Sequence, residues 1–312
     1  MLHRLARWKQ ERIGDFAPTR NTVLVWSVMA ALLAIDIIWL LVTGMAVDWG
    51  IWAVCLAQVV PLWCLAFVYT YLRRDARIAT LAHGMTVALA FPSVAGVLSY
   101  LIVAAQRPLV DAQLAHFDDA IGLDWLTPFH WLVAHGTLYN IAFYAYSSLL
   151  VQYGLLVLVL NFIGRMDRCW ELLWLVMTTC CVCLVFSAIW PAAGAFGYYH
   201  ANPDSSYLKA FMKLHEGRMT LIGEDSMKGI IQFPSFHAVM AVVFMYVTRG
   251  IRWLFPAALV LNVMMLAATP AIGGHYYADV LAGLVVVAAA IWFLRKFKNL
   301  LGLGAVAVTA PA

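Results

Sequence analysis

Residues 22–47 read TVLVWSVMAALLAIDIIWLLVTGMAV, an apolar run broken by a single charge, Asp36. An α-helix rises about 1.5 Å per residue, so about 20 apolar residues carry it across the hydrocarbon core of a bilayer. The run therefore predicts a membrane span. It is too long for a signal-peptide core and lacks a convincing cleavage site, so it is expected to be retained. Seven similar runs follow, at 50–72, 78–105, 137–164, 169–190, 234–248, 253–271 and 276–294. The run at 234–248 is short, and Arg249 and Arg252 can extend it by snorkelling.

Composition agrees with that count. Of 312 residues, 64% are hydrophobic and 12% charged, with mean hydropathy +0.84. Ordinary soluble domains carry about 45–50% apolar and about 25% charged residues. A soluble enzyme and a disordered chain are excluded. The expected fold is an all-α polytopic membrane protein of about eight transmembrane helices, in one domain without internal repeats.

The net charge of +4 is no nucleic-acid signal, because the basic residues sit in short clusters between apolar runs. They set orientation instead. With the N-terminus in the cytoplasm, the inner segments hold Arg4, Arg7, Lys9, Arg12, Arg20, Arg73, Arg74, Arg77, Arg165, Arg168, Arg249, Arg252, Arg295, Lys296 and Lys298, 15 of the 20. The outer segments keep Arg107, Lys209, Lys213, Arg218 and Lys228. Both termini are therefore expected in the cytoplasm. The six cysteines lie in or beside apolar runs and read as small core hydrophobes, with no metal-knuckle spacing.

Two outer segments are long. Residues 106–136 include an amphipathic stretch from Leu109 to Ile121, with Asp111, Asp118 and Asp119, expected to lie in the interface. Residues 191–233 are richer in charge and glycine, and loops of that length tend to be functional.

Polar residues at the outer span ends carry the chemistry. One span begins Phe233-Pro234-Ser235-Phe236-His237, and another follows Gly273-Gly274-His275-Tyr276-Tyr277-Ala278-Asp279. His275 and Asp279 are four apart and share a helix face. An aspartate there can accept the Nδ1–H of the histidine, fix its tautomer and free Nε2. A metal reading, two histidines and one carboxylate, finds no further histidine cluster to support it. No metal or other cofactor is expected.

These blocks resemble the type-2 phosphatidic acid phosphatase superfamily, whose pattern runs K-x6-R-P, P-S-G-H and S-R-x5-H-x3-D. Pro234-Ser235-Phe236-His237 matches the second block with Phe for Gly, and His275-x3-Asp279 matches the end of the third. The form is closest to the inositol-phosphorylceramide synthase branch of sphingolipid head-group transferases, F-P-S-x-H-A and H-Y-x-x-D. The Ser-Arg pair of the third block would fall at Ala268 and Thr269. The lysine of the first would fall at Tyr100, seven before Arg107-Pro108. Their loss shifts the expectation modestly from hydrolysis toward transfer.

The resemblance implies a six-helix catalytic core at 106–298, accessory spans at 1–105 and a fraying tail at 299–312. It implies a metal-independent lipid phosphotransferase or phosphatase, acting on a phospholipid or isoprenoid phosphate at the extracytoplasmic face. The acceptor is a lipid hydroxyl or water. His275 would attack phosphorus and form a phosphohistidine. His237 would protonate the leaving oxygen, and Asp279 would orient His275. The phosphoryl oxygens need other partners: helix N-termini at Ser235 and Gly274, or the loop cations Lys209, Lys213, Arg218 and Lys228. A plain lipid phosphate phosphatase is one alternative. A polyprenyl phosphate carrier without catalysis is another, although carriers commonly show paired broken spans and none is visible here.

Among the remaining polar residues, Asp36 is expected to face the bundle near His83, and Glu171 to snorkel. His130, His135, His200 and His215 are expected to be solvated or capping. Tyr139, Asn140, Tyr144, Tyr146, Ser147 and Gln152 form a polar face expected to join helices, its outer half able to line a head-group pocket.

Overall fold

The structure, a computed structural model, describes residues 20–223 and 229–297. The chain forms α1 (Arg20–Thr43), β1 (Ala46–Val47), α2 (Trp49–Phe67, continued by a π turn at Val68–Leu72) and α3 (Ala76–Ala104). Next come α4 (Asp111–Ala120), α5 (Leu126–Ala134), α6 (Gly136–Ser147), α7 (Leu149–Phe162) and α8 (Met166–Ile189). Then follow α9 (Ala195–Tyr198), α10 (Ser206–His215), β2 (Leu221–Ile222), α11 (Phe236–Thr248), α12 (Leu254–Gly273) and α13 (Tyr277–Lys296). The protein is an all-α polytopic membrane protein.

All eight apolar runs are helical, but they are not alike. Among the described residues, six helices are long and apolar enough to cross a membrane: α1, α2 with its π turn, α3, α8, α12 and α13. The run at 137–164 is two helices, α6 and α7, bent by 49° at their junction. The run at 234–248 is α11, only 13 residues long. Side-chain caps start several of these helices: Asp48 accepts from Gly50 N–H, and Asp75 from Arg77 and Ile78 N–H.

The most enclosed span is α3, whose apolar window is 72% buried against 11% for α2. It packs on α8 and α7 as well as on α1 and α2. This span, which the sequence placed among the accessory spans, is thus packed on both sides of that division. At one end of the bundle α4, α5, α9 and α10 form a cap over α3 and the start of α13, around Tyr100, Trp125, Phe196, Phe211 and Tyr276. A two-residue parallel pairing, Ala46 with Leu221 and Val47 with Ile222, ties the α1–α2 turn to this cap.

At the other end Glu171 does not snorkel. It is buried and accepts from Arg168 (2.9 Å) and Arg249 (3.1 Å), so it ties the start of α8 to the end of α11. The Arg249 guanidinium also lies over the Tyr246 ring at 3.5 Å. Asp36 is 2% exposed, and neither carboxylate oxygen has a partner among the described residues. His83 is engaged elsewhere: Trp26 Nε1–H donates to its Nδ1 (3.4 Å), so Nε2 carries the proton toward Thr70 Oγ1 (3.1 Å). The cations Arg4, Arg7, Lys9, Arg12 and Lys298 and the tail at 299–312 lie outside the described residues.

Candidate active site

The N-terminal ends of α11 and α13 meet at the capped end of the bundle. Ser235 caps α11 through its Oγ, which accepts from Ala238 N–H (3.4 Å). Its own N–H donates to the Asp279 backbone carbonyl (3.0 Å), so each histidine-bearing helix start is bonded to the other. Gly283 allows this approach, because a Cβ there would lie 2.6 Å from the Ser235 carbonyl oxygen. The rings of His237 and His275 end with centroids 6.4 Å apart.

His275 is 2% exposed and Asp279 is fully buried. His275 Nδ1 lies 3.3 Å from Asp279 Oδ2 and 3.1 Å from the Gln232 backbone carbonyl. With Asp279 ionised, both neighbours only accept, so Nδ1 carries the proton and the Nε2 lone pair is free. Asp279 Oδ2 also accepts from Tyr276 N–H (2.9 Å). The i,i+4 relation read in the sequence is thus a bonded pair in the structure.

What the sequence did not reveal is the bracing of this segment by α4. Asp118 accepts from both Tyr277 and Ala278 N–H, each at 2.8 Å. Asp111 accepts from Ala193 N–H (2.9 Å), Gly194 N–H (2.8 Å) and the Tyr276 hydroxyl (3.0 Å). Trp125 Nε1–H donates to the His275 carbonyl (2.9 Å). Asp111 and Asp118 are seven apart, two helical turns, and so face the same way. Burial pushes both carboxyls above the usual carboxylate range, against the pull of the donors around them. The amphipathic stretch at 109–121 therefore turns two of its acids inward instead of to the interface.

This bracing changes the reading of the helix N-termini. The first N–H groups of α13 are already taken by Asp279 and Asp118, so that helix start is occupied by the protein's own carboxylates. The glycine pair before it also has a packing reason. A Cβ on Gly273 would lie 2.5 Å from the Tyr146 hydroxyl oxygen. One on Gly274, whose φ is +67°, would lie 2.5 Å from that of Tyr207. Gly274 also ends α12 in the left-handed conformation, and its carbonyl accepts from Ala195 N–H (2.7 Å).

Ser235, His237, Gly274, His275 and Asp279 are thus brought together, and Tyr146, Tyr207 and Gln232 join them. The loop cations stand apart. Lys209 and Lys213 share the exposed face of α10, opposite Leu208, Phe211 and Leu214. Lys209 pairs with Asp204 (2.8 Å), and Arg218, also exposed, pairs with Glu216. Lys228 lies outside the described residues. Two outer histidines have local partners: His135 Nδ1 is 2.7 Å from the Trp131 carbonyl, and His215 Nε2 is 2.9 Å from that of Arg107.

Fold and site together define an integral membrane protein with two histidines, one held by a buried carboxylate, at one end of a helical bundle. Comparison with known families places it further. The PAP2 superfamily matches residues 112–293, more than half of the chain and including Ser235, both histidines and Asp279, and the chain belongs to it. Its members are phosphatases and phosphotransferases, which supports an enzyme of phosphoryl chemistry. No curated protein and no solved structure matches the chain.

Proposed function

We propose that this protein transfers or hydrolyses the phosphoryl head group of a membrane lipid at the extracytoplasmic face, through a phosphohistidine on His275. The observation that supports it most is the pairing of a tautomer-fixed His275 with a second histidine, His237, one ring away. In the first half-reaction His275 Nε2 forms a P–N bond as the bond from phosphorus to the leaving oxygen breaks. His237 supplies the proton that oxygen needs. In the second half, a water or lipid hydroxyl attacks phosphorus, its proton passes to His237, and the P–N bond breaks. Asp279 balances the positive charge that His275 acquires.

Transfer to a lipid hydroxyl is favoured over hydrolysis. The form Phe233-Pro234-Ser235-Phe236-His237-Ala238 and the absence of the first block's lysine and the third block's arginine support that preference. Incubating the purified protein with mixed phospholipids in a strong chelator, with and without ceramide or diacylglycerol, tests it by mass spectrometry of the products. A new phospho-head-group lipid that appears only with the added acceptor is the expected result. Free phosphate alone means a phosphatase, and no turnover of any lipid removes the reading.

The facing of the site rests on charge. Arg73, Arg74, Arg77, Arg165, Arg168, Arg249, Arg252, Arg295 and Lys296 flank the span ends opposite the histidines. Tags at residue 1, beside Arg74 and at residue 312 should report cytoplasm, and tags beside Asp124 or Asp204 the opposite side. A cytoplasmic signal at Asp204 overturns the orientation.

A further inference from the structure

We infer that Tyr146 is a positioning residue for His237, an inference that rests on the acid–base role proposed for that histidine. The two rings lie face to face, with centroids 3.8 Å apart and planes 12° apart. A cation over a π face adds to ordinary ring stacking, so the stack strengthens when the imidazole carries the proton it must deliver.

The sequence places Tyr146 in a membrane run among other polar residues. The bend between α6 and α7 delivers it to the site. That bend is pinned by a chain of side chains. Ser148 Oγ donates to the Ala145 carbonyl (2.6 Å), Gln152 Nε2 donates to Ser148 Oγ (2.9 Å), and Asn262 Nδ2 of α12 donates to Gln152 Oε1 (2.8 Å). Farther along α12, Gly273 has no side chain, and the edge of the Tyr146 ring occupies the space. A Cβ on Gly273 would meet the hydroxyl oxygen at 2.5 Å and Cε2 at 2.9 Å. One ring is thereby held against His237 and against the helix end that leads into His275. Among the described residues, the ionisable neighbour of His237 across the site is His275, to which Asp279 is bonded.

A general acid works only within hydrogen-bond reach of the oxygen it protonates, and a misplacement of about 1 Å can cost about 10²-fold. The test compares a short-chain phosphatidic acid, whose leaving group is an alkoxide, with nitrophenyl phosphate, whose leaving group departs without a proton. Tyr146→Leu should lower kcat/KM, which reports formation of the phosphoenzyme, about 10–100-fold on the first and spare it on the second. Tyr146→Phe keeps the ring and should stay within about threefold of wild type, which also guards against a folding artefact. Equal losses on both esters in Tyr146→Leu, or a phenylalanine variant as slow as the leucine one, overturn the inference. If His237→Ala itself slows both esters equally, the acid–base reading falls first and the role of Tyr146 falls with it.

Discussion

Replacing His275 with alanine should abolish turnover and leave no covalent phosphoenzyme, because it removes the imidazole whose Nδ1 is held and whose Nε2 is left to attack phosphorus. Wild-type protein quenched during turnover of a labelled lipid should carry an acid-labile, alkali-stable phosphate. Asp279→Asn separates two roles of the carboxylate. In serine proteases the equivalent change presents the wrong tautomer and costs about 10⁴. Here the Gln232 backbone carbonyl also accepts from Nδ1 (3.1 Å), and it survives the substitution. The tautomer should therefore persist, and only the charge that balances a cationic His275 is lost. The expected cost is about 10²–10³ in kcat, the range for one electrostatic contact to a transition state. Substantial turnover by His275→Ala would sink the phosphohistidine. A loss of about 10⁴ or more in Asp279→Asn would mean that the Gln232 carbonyl does not hold the proton.

His237→Ala should fail selectively. Loss of a general acid costs about 10²–10⁴-fold where the leaving oxygen must be protonated. In the rate of phosphoenzyme formation, read from kcat/KM, an alkoxide leaving group should suffer that full penalty and a nitrophenolate little of it. The phosphoenzyme should still form from the nitrophenyl ester and then decay slowly, because the same side chain is needed to deprotonate the attacking hydroxyl. Equal losses for both esters would make His237 a phosphate-binding or structural residue, and a lipid phosphate carrier would regain ground.

The two helix starts were legible because their signals are local. Ser235 precedes the α11 histidine by two residues, and His275 and Asp279 are one turn apart, so spacing alone puts them in reach. Lys209 and Lys213 stand on the exposed face of α10 for a reason the sequence also held. On a helix with Leu208, Phe211 and Leu214 turned inward, residues 209 and 213 point out. Glu171 looked like an isolated charge at a span edge. Its partner Arg249 is on another helix, and nothing in the run around 171 announces it.

By itself, then, the sequence determined what depends on length and local period. The membrane spans follow from the apolar run needed to cross a bilayer, and the His275–Asp279 pair from the pitch of a helix. Only the tertiary structure decided what surrounds the histidines. Asp118 reaches Tyr277 and Ala278, Asp111 reaches Gly194 and Tyr276, and Tyr146 stacks on His237 because a bend without proline and a glycine on another helix let it in. Such contacts join segments far apart in the chain. They leave no periodic mark, since each depends on where two helices happen to cross and not on the order of residues within either.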